Sequence, residues 1–317
     1  MYDIYLYFPY LGNQNIPRYK RWWCKQIIKS IEKSETLQIT NNKEISDYIF
    51  TEKNYVSLFF NLNKKIILVS CQDNIIIDET LLNNNLIYAI LDHEVLINTK
   101  NNEYIYTNEK KNRLFLKLDQ VYNVKSPSYY KQDITKYSKV HCLLNHSTFF
   151  KKLYIDDVKL LKDRFYDIII IGHTDYSDTV LTLFKKDLSS FIKKIGKKYN
   201  YKIILEGFVS HKQYYKLLLD SKIFISSYGW GEFSLKEYDC ICTGTYTFKS
   251  EVYFKSYPNF YENMETYKLD FSDIENKLQS TLKNLDMAQE KVDKNRELFR
   301  NFQKSNSQVQ ELESILK

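Results

Sequence analysis

Glycine and proline are scarce in this chain, seven and four among 317 residues. Six of the seven glycines fall between Gly172 and Gly244. A chain this poor in glycine keeps it for sharp bends and for close approach of backbone to a ligand. That stretch therefore reads as a site. Long apolar runs are missing too. No segment reaches the roughly 18–20 apolar residues of a membrane span. Met1–Leu11, with Asp3, Pro9 and five aromatic side chains, lacks the form of a signal peptide. The five cysteines are an odd number with no regular framework. Cys240 and Cys242 stand two apart on a predicted helix and point away from each other, which excludes a zinc pair there. Reduced thiols suit a cytoplasmic protein, and that is the expected location. Neither a Walker loop nor a G-x-S-x-G elbow occurs.

Apolar residues make up 44% of the chain, with 28 tyrosines and 19 phenylalanines, enough to fill sizeable cores. Net charge is +7 at pH 7. The excess is diluted: Arg18–Arg21 with Lys25, Lys185/Lys186 and Lys193–Lys198 are its densest clusters, and none holds more than two basic residues in a row. A nucleic-acid binder concentrates its charge on one face or arm. No nucleic-acid partner is expected.

The length suits two domains of ordinary size. Residues 3–8 read as a first strand, and Trp23, Ile27, Ile28 and Ile31 fall on one face of a helix ending near Glu32. Strand-like runs follow at Asp47–Phe50, Val56–Phe60, Lys65–Cys71, Leu86–Leu91 and Glu103–Thr107, while Leu114–Val121 suits either state and the polar stretches 33–45 and 98–112 read as loops. Residues 122–166 look irregular, with a linker near 145–163. A second series begins at Asp167–Gly172 and continues through a helix at 179–198, a strand at Tyr201–Leu205, a helix at 211–221 and a strand at Ile223–Ser226. From Ser272 onward the chain reads as polar and helical. The expectation is an α/β protein with two Rossmann-like domains, residues 1–155 and 156–317.

Residues 221–250, SKIFISSYGWGEFSLKEYDCICTGTYTFKS, are the most informative part. A strand ends in two serines, a glycine-rich turn with an acidic residue follows, and then a helix stops at Gly244. This order builds a crevice at the carboxyl end of a parallel strand. The segment resembles the donor-binding half of exostosin-like glycosyltransferases of the GT-B type, whose pattern runs roughly S-P-x-G-x-G-E-x-x-x-R-x-Y-E-A-x-x-x-G. Ser227, Gly229, Gly231, Glu232, Lys236, Tyr238, Asp239 and Gly244 carry the likeness, which covers about residues 163–300. Tyr228 stands where proline is usual, Lys236 for arginine and Asp239 for glutamate. The resemblance implies two domains facing a cleft, a C-terminal helix packing back across them, and transfer of a hexose or pentose from a nucleotide-diphosphate sugar to a glycan or glycoprotein. Together with a composition rich in Lys, Asn, Ile and Tyr, it implies a large DNA virus or an AT-rich protist as source.

Several residues are candidates for that chemistry, each beside a plainer reading. Gly172, His173 and Thr174 close a strand and can offer N–H groups to a diphosphate, or form an ordinary turn. Lys185 and Lys186, near the start of the next helix, suit phosphate as point charges, or are solvated surface lysines. Asp239 can grip a ribose diol, and Glu232 can face the same crevice. Lys236 can neutralise the diphosphate, or pair with either carboxylate. Trp230 can wall the base or sugar pocket, or fill a core. For the acceptor side, Asp73, Asp92 and His93 follow strands and can supply a general base, or be surface turn residues. No Asp-x-Asp, the cation-holding pattern of the other major transferase fold, occurs in the chain. The expected mechanism therefore uses no metal and no cofactor, and meets the charge of the leaving diphosphate with lysines and backbone N–H groups. The rival reading is a degenerate transferase fold that binds glycan, nucleic acid or a protein without catalysis.

Overall fold

Short apolar runs in the first and second halves build two separate parallel sheets. The computed structural model describes residues 1–9, 25, 27–69, 83–92, 95–97, 104–105, 140–142, 153–172, 179–227, 235–251, 254–255 and 258–317. The first sheet comprises β1 (Tyr2–Tyr7), β2 (Leu37–Thr40), β3 (Tyr48–Thr51), β4 (Lys65–Val69), β5 (Ile87–Asp92) and β8 (Val140–Cys142), in the order β2-β1-β3-β4-β5-β8. Every pairing in it is parallel. The second comprises β9 (Tyr166–Ile171), β10 (Ile203–Glu206), β11 (Ser221–Ser226), β12 (Tyr246–Ser250) and β14 (Glu265–Tyr267), in the order β10-β9-β11-β12-β14, also parallel throughout. Within each sheet the first strand in sequence lies between the second and the third. This doubly wound order defines a Rossmann-like unit, with a crevice at the carboxyl ends where the connections diverge.

Helices cover both faces of the second sheet, which is why its strands read as unbroken apolar runs. On one face, Ile168, Ile223, Ile225, Tyr246 and Phe248 pack against Leu181, Phe184, Leu188 and Ile192 of α2 (Thr179–Tyr199). On the other, Ile169, Ile171 and Phe224 meet Leu218 of α3 (His211–Leu219) and Cys240 of α4 (Leu235–Thr243). Two further helices, α5 (Ile274–Lys283) and α6 (Leu285–Lys304), add Ile274, Leu278, Ala288 and Val292 to the first of these faces.

The last helix, α7 (Ser307–Leu316), crosses back to the first sheet. Its Leu312, Ile315 and Leu316 share a core with Ile4, Phe50, Ile67 and Leu91, alongside Ile27 and Ile31 of α1, described as helix over 27–32. Tyr48 donates its hydroxyl to the Leu316 carbonyl, and Ser34 donates to Glu313. Burying a leucine or isoleucine side chain fully contributes about 1.5–3 kcal/mol. The first unit is thus completed by the far end of the chain.

Three expectations about the elements are corrected. Val56–Phe60 is not a strand but part of a 3-10 helix, Lys53–Leu62. Val56 and Phe59, three apart, turn to one side and pack on Ile49, Ile66 and Leu68, so the apolar period is three and not two. The polar stretch 33–45 contains β2, an edge strand that needs only one pairing partner and buries Leu37 alone. The irregular stretch 122–166 contains β8, which extends the first sheet beside β5. Leu114–Val121 lies outside the described residues. A small antiparallel sheet pairs β13 (Phe254–Lys255) with β6 (Val95–Ile97), and β6 with β7 (Tyr104–Ile105), so both halves contribute to it.

Candidate functional site

The crevice of the second sheet opens between the carboxyl ends of β9 and β11, at Ile171-Gly172 and Ser226-Ser227. Gly172 ties itself to β10, its N–H donating to the Glu206 carbonyl at 3.1 Å. Lys236, the second residue of α4, reaches across the crevice and donates to the Ile171 carbonyl at 2.6 Å. A Cβ built on Gly172 would lie 2.5 Å from the Lys236 ammonium nitrogen. The absence of a side chain at 172 therefore makes room for that ammonium. Burial lowers the pKa of Lys236 and Lys249 adds to the shift, while Glu237, Cys240 and Asp239 oppose it.

Lys185, on the second turn of α2, is buried in the same region. Burial, aided by Lys236 and Lys249, lowers its pKa to about 7. Lys186 is exposed. Of the two lysines weighed together in the sequence, the structure turns one inward and one to solvent.

Beneath the crevice lies an ion pair that the sequence reading missed. Lys249 of β12 donates to Glu237 of α4 at 2.9 Å, with side chains 0% and 2% exposed. The Ser226 hydroxyl donates to the same Glu237 oxygen, and the Tyr261 hydroxyl stands 3.4 Å from the other. Tyr267 donates to the Ser226 carbonyl at 2.9 Å. The last residue of β11 is thus held through both its side chain and its backbone. A lysine within the apolar run Thr245–Phe248 and its flank was the one available signal, since a buried strand tolerates charge only when it is paired.

Asp239 lies one turn beyond Lys236 on α4 and is buried. It accepts a hydrogen bond from the Tyr215 hydroxyl of α3. The buried Tyr214 hydroxyl faces the same carboxylate without closing a hydrogen bond. Burial pushes the Asp239 carboxyl up to about 6, against the pull of Tyr215, Tyr214, His211 and Lys236.

Two arginines fix the far end of α4. Arg164 donates to the carbonyls of Leu218, Ser221 and Thr243 and to the Thr245 hydroxyl. Arg296 donates to the carbonyls of Ile241, Cys242, Ile155 and Asp156. Cations on the last carbonyls complement the negative end of the helix dipole. Gly244, at φ +66°, ends α4 in the left-handed region, which suits glycine.

The structure brings Gly172, Lys185, Lys236 and Asp239 to one end of the second sheet, with Ser227 half-buried beside them. His173, Thr174, Gly229, Trp230, Gly231 and Glu232 lie outside the described residues, as do Asp73 and His93. Asp92 ends β5, two strands over from β3 and in register with Cys142. Among the described residues, no group of three or more His, Cys, Asp and Glu side chains is placed to hold a metal ion, and no helix is long and apolar enough to cross a membrane.

No family model and no curated protein matches the chain. Solved structures do align with it. An α1,3-fucosyltransferase is 13% identical over 97% of this chain and 91% of its own, with a TM-score of 0.41. A sucrose-phosphate synthase from Thermosynechococcus elongatus is 13% identical over 95% and 79%, with a TM-score of 0.46. The structure of trehalose-6-phosphate from E. coli bound with UDP-2-fluoro glucose is 11% identical over 96% and 80%, also at 0.46.

Proposed function

We propose that this chain is a glycosyltransferase of the GT-B type, moving a sugar from a nucleotide-diphosphate donor to a glycan or glycoprotein acceptor without a metal ion. The observation that carries the reading is the inward-turned basic cluster at the switch point of the second sheet. Lys185 and Lys236 lie at the crevice beside Gly172, and Lys249 lies just beneath, already paired with Glu237. Open parallel sheets bind ligands at this place. A buried and a half-buried lysine that converge on one crevice suit an anionic ligand such as a diphosphate, for which a lysine ammonium is a point-charge partner.

In this reading Lys236, Lys185 and the Gly172 turn hold the diphosphate, and Asp239 accepts the ribose hydroxyls. During transfer, negative charge grows on the leaving diphosphate. Preorganised ammonium and N–H donors would stabilise it without reorganising water. The acceptor lies against the first unit, where Asp73, Asp92 and His93 are the candidates for accepting its proton. The direct test is a panel of UDP- and GDP-sugars, scored for binding and for slow hydrolysis. Binding together with hydrolysis of at least one donor is expected. Binding without turnover on any acceptor would favour a degenerate binding module, and no binding at all would sink the reading.

A further inference from the structure

The carboxylate assigned above to the ribose does not face an open crevice alone. Asp239 is buried between α4 and α3, and one of its oxygens accepts the Tyr215 hydroxyl. The Tyr215 ring is in turn packed on His211, the first residue of α3, with ring centres 4.8 Å apart. Tyr214 crosses Tyr215 edge to face at 5.5 Å and aims its buried hydroxyl at the same carboxylate. On its own helix Asp239 is flanked by Lys236, Cys240 and Cys242.

We propose that Tyr215 is a positioning residue for nucleotide binding: its hydroxyl holds one Asp239 oxygen, keeping the carboxylate charged and leaving the other oxygen for the ribose diol. The inference rests on the ribose role given to Asp239 above. A carboxylate has about four lone-pair positions, so one tyrosine leaves acceptor capacity for a diol. Burial favours the protonated acid, which has a donor hydrogen on one oxygen and accepts less well. The tyrosine hydroxyl opposes this by bonding to the charged form. Burial holds the Asp239 carboxyl up at about 6, so losing one donor to its charged form would bring its midpoint towards neutral pH. The exposed His211 ring packs against the Tyr215 ring at a tilt of 44° and covers one side of it. Ser210 fixes the start of α3 by accepting from the Gln213 N–H.

The experiment is calorimetric titration of the full chain with UDP and GDP from pH 5.5 to 8.5, for wild type, Tyr215→Phe and Asp239→Asn. The Asp239 carboxyl is followed in parallel by difference infrared spectroscopy against Asp239→Asn. Hydrogen bonds to charged groups are worth enough to move a pKa by roughly one unit or more. Tyr215→Phe is therefore expected to raise the titration midpoint of Asp239. It should also weaken nucleotide binding about threefold near pH 6.5 and about eightfold at pH 5.5, with affinity returning towards wild type by pH 8.5. A role confined to packing would lower affinity equally at every pH, or not at all, and either result overturns the proposal. An unchanged Asp239 midpoint overturns it as well. If wild type binds a nucleotide and Asp239→Asn binds it equally well, the inference falls while the transferase reading stands. If wild type binds neither nucleotide, both fall together.

Discussion

The Lys236 ammonium occupies the space that a side chain on Gly172 would fill, 2.5 Å from where its Cβ would be. One residue follows the last of β9 and the other is the second of α4, 64 positions later, so the glycine and the lysine are two parts of one device. The first prediction follows from it. Gly172→Ala should displace the ammonium from the Ile171 carbonyl, since the clashing atom is the end of a flexible side chain and can move. Stability should fall by about 1 kcal/mol, the worth of one hydrogen bond. Affinity for a nucleoside diphosphate should fall more steeply, because charge has been misplaced. Equal affinity in Gly172→Ala and wild type would show that Lys236 does not meet the ligand from this position.

Lys185 makes the site sensitive to pH, and the sign can be worked out. Its folded pKa, about 7, lies below the 10.5 of an unperturbed lysine. Between these values the unfolded chain binds the extra proton, so this group's contribution to stability rises with pH across the window. Below about 7 its penalty is fully present, on the order of 4–5 kcal/mol as an upper bound. Lys185→Met should thus stabilise the fold most at or below neutral pH, with the gain fading as pH approaches 10.5. A bound diphosphate should restore the proton. Calorimetry of UDP or GDP binding at pH 8, repeated in buffers of differing ionisation enthalpy, should show proton uptake in wild type and less in Lys185→Met. Proton-neutral binding in wild type would remove Lys185 from the site.

The sequence made the second unit legible because its signals were local. Strand β11, helix α4 and the stop at Gly244 each follow from short runs of residues. Lys236 and Asp239 could be placed on α4 from their spacing. What could not be read was which way side chains turn. Lys185 and Lys186 are adjacent and alike, yet helix geometry puts one in the interior and the other in water. The Lys249–Glu237 pair spans 12 positions and needs α4 to pack against β12, which no local pattern carries. Edge strand β2 was hidden because an edge strand does not need the apolar continuity of a central one. The 3-10 helix at Lys53–Leu62 was misread because a three-residue period in aromatic and β-branched residues mimics strand composition.

The buried ion pair yields a third prediction. Removing one member of such a pair leaves an uncompensated charge and costs about 3–5 kcal/mol, while replacing both by apolar groups of similar size is often neutral. Glu237→Gln should be strongly destabilised, and Lys249→Met with Glu237→Leu much less so. Ser226, which donates to Glu237, loses its side-chain partner in the double variant. If the pair serves to hold the end of β11 at the crevice, the double variant should fold yet bind UDP or GDP more weakly. A double variant as stable as wild type and with unchanged affinity would reduce the pair to a tolerated remnant of the core.

The last prediction concerns the route by which the leaving diphosphate is stabilised. If protein donors do this alone, transfer should survive a chelator with its rate nearly unchanged. Lys236→Ala should then lower the rate by roughly 10²-fold or more, the usual effect of deleting one donor that acts in the transition state. The two measurements must be read together. A rate that resists the chelator but ignores Lys236→Ala would place the leaving group elsewhere in the crevice. Activity abolished by the chelator and restored by magnesium or manganese would overturn the metal-free mechanism. The first outcome is expected because Lys236 already reaches the Ile171 carbonyl at the end of β9, where a diphosphate in this crevice would lie.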